Sequence, residues 1–171
     1  SIIYGDSTNF SNGIYRASNA YRNLGIMDSA VAFSRKVLEL DIILNNHDFI
    51  MSDYSLIGDI YFEMNELDSA LVMYEKTFVT SQEDQNVSPN QKINFVTKTK
   101  IDLGRTYLKK NKNDLALELL LEGVGLAIEH NQKQYLVDGC KALYRYYKMN
   151  SMYKKALEYF ENAKIIIVHR D

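Results

Sequence analysis

The chain has 171 residues, 46% of them hydrophobic and 25% charged, with a formal net charge of −2. That length suits one domain and the apolar share suits a continuous core, while the near-neutral balance gives no global basic field with which to bind nucleic acid. The lone Cys140 permits no intramolecular disulfide, and no apolar run approaches the roughly 20 residues needed to span a bilayer.

Taken in order, residues 1–10, SIIYGDSTNF, have no helical period and are expected to form a loose lead-in. A helix is expected from about 11 to 24, stopped by Gly25, and a second from about 28 to 44, carrying Val31, Phe33, Val37, Leu38 and Leu40. The run Asn45-Asn46-His47-Asp48 reads as a turn. Helices three and four are expected at about 50–64 and 67–81, joined by a turn at Asn65-Glu66. Residues 81–90, SQEDQNVSPN, are polar and hold Pro89, the only proline, so an exposed, flexible loop is expected there. Four further helices are expected at about 91–110, 113–130, 133–148 and 152–167. Gly123 and Gly125 should weaken the sixth locally and let another helix pack closely. No strand period of any length occurs.

The stretch at 54–78, YSLIGDIYFEMNELDSALVMYEKTF, sets a pattern that three others repeat. Its Ala70 corresponds to Ala30, Ala116 and Ala156. Nine residues before each alanine stands a tyrosine: Tyr21, Tyr61, Tyr107 and Tyr147. Thirteen before stands an apolar residue: Ala17, Ile57, Leu103 and Leu143. Twelve before stand Ser18, Gly58 and Gly104, with Tyr144 in the fourth copy. Directly after come Val31, Leu71, Leu117 and Leu157. Two before stand Asp28, Asp68 and Asp114, with Lys154 departing. Agreement at so many offsets, four times over, marks a repeat. The small residue and the alanine let two helices approach, and the tyrosine supplies an apolar body with a polar tip. The aspartates are expected at the start of each second helix, accepting hydrogen bonds from its free amides.

Gly-x-x-Tyr, then Ala-Leu, then Ser34, Tyr74, Leu120 or Phe160 four residues after the alanine, resembles the tetratricopeptide repeat over about 12–163. The resemblance implies an all-α fold: a right-handed superhelix of antiparallel helix pairs, an α–α solenoid of about four repeats. These fall at approximately 11–44, 50–81, 91–130 and 133–167 of a single domain 1–171. The sequence departs from the family at Tyr144, in its near lack of proline, and in alanine spacings of 40, 46 and 40, against roughly 34 in the standard repeat. Longer repeats of this kind look like those of bacterial sensor regions attached to histidine kinases or helix-turn-helix regulators. The resemblance thus implies a non-catalytic protein- or peptide-binding module, the sensing or regulatory part of a larger signalling protein. The alternative is the regulatory domain of a transcriptional regulator whose DNA-binding part lies outside the chain. The compartment stays open between the cytoplasm and the periplasmic part of a membrane-anchored sensor.

Neither metal nor cofactor is expected. His47, His130 and His169 share no helical face, and no His-x-x-x-His or Cys-x-x-Cys spacing occurs. Gly123-Val124-Gly125 lacks the lysine of a phosphate loop, no Ser-His-Asp or Cys-His set can be assembled, and Cys140 reads as a buried core thiol. The first helices are expected to line a concave face. Its candidate partner-binding residues are Tyr15, Asn19, Phe62, Lys98, Ile101, Arg105, Leu108, Lys141, Arg145 and Lys148. Only Asn19 and Lys98 match the family's carboxylate clamp, so a chaperone tail is not the expected partner. An acidic or phosphorylated segment is expected against the basic second half, with no direct nucleic-acid contact. A chain that does not begin with Met reads as an excised piece of a longer protein, or else as a processed product. The apolar run at 165–168 is expected to be covered by a neighbouring helix, a missing segment or a second copy, giving a homodimer.

Overall fold

The computed structural model describes the backbone of residues 2–168 and the side chains of residues 13–47 and 49–162. The described residues form helices and connections, with no strand. They divide into two compact units, Ser1–Ser88 and Pro89–Asp171. The first unit holds α1 (Ile2–Asn23), α2 (Met27–Ile43), α3 (His47–Glu63) and α4 (Leu67–Glu83); the second holds α5 (Pro89–Lys109), α6 (Asn113–Glu129), α7 (Lys133–Met149) and α8 (Tyr153–Val168). Within each unit every helix packs on the one before it. The fold class is all-α, with the helix pairs of an α–α solenoid, as the repeat implies.

Each connection inside a unit is three residues long and turns on one residue with a left-handed backbone: Gly25, Asn45, Asn65, Asn111, Asn131 and Ser151. Glycine and asparagine tolerate that conformation best. In each turn the following amide reaches back five residues to a helix carbonyl: Ile26 to Tyr21, Asn46 to Asp41, Glu66 to Tyr61, Lys112 to Tyr107, Gln132 to Ala127 and Met152 to Tyr147, at 2.8–2.9 Å. This Schellman-type bond satisfies a carbonyl that the helix end would orphan.

The repeat positions meet as their sizes require. Ala30, Ala70 and Ala116 are fully buried and Ala156 nearly so. The small position on each first helix faces the residue four after the alanine. A Cβ on Gly58 would stand 2.6 Å from Cε1 of Tyr74, and one on Gly104 would stand 2.7 Å from Cγ of Leu120. Ser18 donates to the Ala30 carbonyl at 2.9 Å and also bonds Ser34. In the fourth pair both partners are large, and Tyr144 meets Phe160 ring to ring at 5.6 Å. The first unit's core joins Ala30, Leu56 and Ile60 to Tyr21, Met27, Val31 and Met64. The second unit's core runs from Ile101 and Leu108 through Ala116, Leu120 and Val124 to Leu143, Tyr146 and Tyr147.

The structure corrects three expectations. Residues 2–10 are helical and extend α1 rather than forming a loose lead-in. Once a helix is nucleated, each added residue gains a hydrogen bond without needing an apolar period. The expected loop at 81–90 is a five-residue connection, because α4 runs to Glu83 and α5 starts at Pro89, where a missing amide costs nothing. Val87 is buried, the Asn86 amide bonds Asp84 Oδ1 at 2.9 Å, and His47 Nδ1 lies 2.5 Å from Asp84 Oδ2. The 46-residue spacing therefore comes mostly from α5, four residues longer than α3 or α7. Finally, Asp28, Asp68 and Asp114 lie inside the first turn, one step past the helix start. The capping positions are Ile26, Glu66 and Lys112, and none makes a side-chain cap bond. In the first turn the aspartates meet the positive end of the helix dipole. The expectation for 165–168 concerns side chains outside the described residues.

Candidate partner-binding face

In the first unit the expected residues lie on α1 and α3. Tyr15 is exposed, Asn19 and Phe62 are half-buried, and Asn19 Nδ2 donates to the Tyr15 carbonyl at 3.2 Å. The cation of this face, Arg22, is engaged. Its Nε and Nη2 donate to the two oxygens of Glu63 at 3.0 and 2.5 Å, and Nη1 lies 3.9 Å from Asp59. Asp59 also accepts the Tyr74 hydroxyl at 2.9 Å. The Glu63 bond holds the Arg22 guanidinium proton more firmly, against the opposing effect of burial.

In the second unit the face belongs to α5 and α7. Lys98 Nζ lies 2.7 Å from Asp102 Oδ2, and Arg105 Nη1 lies 3.0 Å from Oδ1 of the same carboxylate. Asp102 is 4% exposed, so a nearly buried acid offsets both cations. Lys100 pairs with Glu122 of α6 at 2.5 Å. Tyr135 of α7 is half-buried beside this cluster, and burial pushes its phenol up, with Lys98 acting against that and Asp102 and Asp138 adding to it. From Asp138 the same face of α7 continues through Lys141, Arg145 and Lys148, spaced by three, four and three. The last three are exposed, and no carboxylate among the described residues pairs with them. Lys148 Nζ sits 5.7 Å above the Tyr144 ring, a cation–π contact that leaves the ammonium open to a partner.

Ile101 and Leu108 are not on this face. Both are buried in the second unit's core, at 2% and 7% exposure. A Cβ on Gly123 would stand 2.7 Å from Ile101 Cγ1, and one on Gly139 would stand 3.4 Å from Ile101 Cδ1. Close packing was expected at Gly123 and Gly125; the glycines that open the space Ile101 fills are Gly123 and Gly139. Gly125 meets nothing within 4 Å, and α6 runs unbroken through both glycines. Sequence reasoning missed Asp102 as the partner of Lys98 and Arg105, although the four- and three-residue spacings were visible. It also missed Glu63 and Tyr135, whose roles depend on which helices meet.

Among the described residues no group of three His, Cys, Asp or Glu side chains could hold a metal ion. Among the described residues no helix is long and apolar enough to cross a membrane. Cys140 is buried, and burial pushes its thiol up to about 11, far from the range of a reactive thiolate.

With this geometry in hand, residues 12–41 match the family model described as tetratricopeptide repeat. Solved structures extend the likeness to the fold of nearly the whole chain. Aspartyl phosphate phosphatase F from Bacillus subtilis aligns with a TM-score of 0.79 at 11% identity, over 92% of this chain and 40% of that one. BtubC (BKLC) from P. vanneervenii aligns at 0.73 and 17% identity, over 95% and 65%. A set of nearly identical TPR-like repeats from Podosopora anserina aligns at 0.65 and 16%, over 91% and 74%. The chain thus spans under half the length of the first of these. No curated protein matches it in sequence.

Proposed function

We propose that this chain is a non-catalytic protein- or peptide-binding module whose recognition surface is the exposed stripe of α7, with an acidic or phosphorylated segment as its partner. The observation that carries this reading is the contrast between the two helices. The α5 cations Lys98 and Arg105 are offset by Asp102, whereas Lys141, Arg145 and Lys148 stand exposed at helical spacing. A row of such cations attracts carboxylates and phosphates and can bond them directly.

The test is titration with fluorescently labelled glutamate-rich peptides, with and without phosphoserine. Lys141→Glu combined with Arg145→Glu is expected to weaken binding at least about tenfold and to flatten its salt dependence. Unchanged affinity would mean the stripe is only solvated surface. We further propose that the module is the sensing or regulatory part of a larger bacterial signalling protein, on the support of its fold likeness to part of a longer chain from Bacillus subtilis. A complete reading frame holding neither a kinase nor a helix-turn-helix unit, alone or in a neighbouring gene, would count against that context.

A further inference from the structure

The fourth repeat leaves open the positions that the third repeat closes. In the third, α7 packs on both α5 and α6. Ile101 and Leu108 of α5, fifteen and eight residues before Ala116, lie in the core that α7 helps to build. Leu120 of α6 is fully buried in the same core, and Leu117 packs against it. At the same offsets from Ala156 stand Lys141 and Lys148 of α7, then Leu157 and Phe160 of α8. Both lysines are exposed, and Leu157 and Phe160 are 59% and 47% exposed. Tyr153, one turn before Leu157, is 66% exposed. Among the described residues no further helix packs on both α7 and α8.

The open positions form one surface. Tyr153, Leu157 and Phe160, spaced by four and three, share a face of α8. Lys141 and Lys148, seven residues apart, share a face of α7. The two rows meet at Tyr144, whose ring lies 5.6 Å from that of Phe160 and has Lys148 Nζ 5.7 Å from its centre. The surface therefore has an apolar floor on α8 and a cationic edge on α7. In the third repeat the matching surface is filled by one helix, α7, and its edge is the apolar Ile101 and Leu108. A helix laid across the fourth repeat would meet lysines at those places, and covering a cation is costly unless a carboxylate pairs with it.

We propose that this surface seats an acidic amphipathic helix of a separate protein, its apolar side on Tyr153, Leu157 and Phe160 and its carboxylates against Lys141 and Lys148. The proposal rests on the acidic partner argued above and narrows it: the partner is helical and lies across α7 and α8, not along α7 alone. A second copy is the poorer occupant. A two-fold contact sets a patch against itself, and here that places the exposed Lys141, Lys148 and Lys154 of one copy beside a patch with the same three cations.

Fluorescence anisotropy with two labelled peptides, each of the 17-residue length of α7, tests this on the protein expressed from its complete reading frame. Both peptides have the same content of leucine, alanine and glutamate. In one the leucines fall on a single helical face bordered by glutamates; in the other the order is scrambled. The first is expected to bind at least about tenfold tighter and to gain helical circular dichroism on binding. Leu157→Gln with Phe160→Gln is expected to abolish that preference, since apolar anchors carry most of such binding. Equal affinities of the two peptides for the wild type would overturn the helical seat and leave an acidic segment on α7 standing. Binding of neither would overturn both readings. A dimer in light scattering that Leu157→Gln dissolves would assign the surface to a second copy and overturn the proposal. If the double variant does not fold, the two peptides on the wild type decide the matter.

Discussion

The Tyr74 ring occupies the place where a Cβ on Gly58 would stand, and Tyr74 cannot yield freely, because it is 1% exposed and bonded to Asp59. Gly58→Ala is therefore expected to destabilise the fold by about 1–3 kcal/mol through overpacking, read as a fall in the thermal midpoint. Adding Tyr74→Leu should recover part of that loss, so the two changes will not sum. A melt unmoved by the single change would contradict the contact. Asp102 is the residue on which stability and binding oppose each other. Asp102→Asn removes the counter-charge of Lys98 and Arg105. It should cost about 1 kcal/mol, since both cations keep access to water, and should tighten binding of acidic peptides. If such affinity falls with stability, Lys98 and Arg105 play no part in recognition.

At the scale of elements, the connections decide how each helix returns on the last. Five of the six left-handed positions are glycine or asparagine, and the sixth is Ser151. Serine bears that conformation less well than asparagine. Ser151→Asn is expected to raise the chemical unfolding midpoint, by about 0.5 kcal/mol of stability, and Asn65→Ala to lower it by about 1 kcal/mol. An unchanged midpoint in both variants would separate turn conformation from stability here. The longer connection between α4 and α5 is held by Val87 and Asp84. Polar composition promised exposure there, and Gln85, Asn86 and Ser88 are exposed, but one valine among polar residues anchors the segment without giving it any period.

For the molecule as a whole, pH should act from two directions. Burial would raise the Asp84 carboxyl, yet the Asn86 amide and His47 hold it below the ordinary range. Its contribution is present above the unfolded carboxylate pKa and is lost on acidification, the reverse of Asp53 in α3, whose carboxyl is pushed up to about 8 by burial first and then by the charge of Asp41. Urea midpoints followed across pH should show an acid limb that Asp84→Asn removes and an alkaline limb that it leaves in place. Retention of the acid limb in that variant would assign it to other carboxylates. The helix pairs were legible in the sequence because Ala70 and Tyr61, with their counterparts, recur at fixed offsets, and offsets report helical period directly. The partner face was less legible. Ile101 carries the offset of a surface position, but Gly123 and Gly139, on other helices, let it into the core. Asp41 of α2 and Asp53 of α3 read as ordinary surface acids, yet each is 1% exposed.

The seventeen-residue length shared by α2, α3, α4, α6 and α7, each set off by short connections, gives the chain a phase that mutation has to respect. One residue inserted into or deleted from a helix turns everything beyond it by about 100°, given 3.6 residues per turn. Such a change before Ala116 in α6 would carry that buried position toward water. Four residues make about one full turn, and α5 exceeds α3 by four. Length variation among relatives of this chain should therefore come in helical turns, or in whole helix pairs, far more often than in single residues.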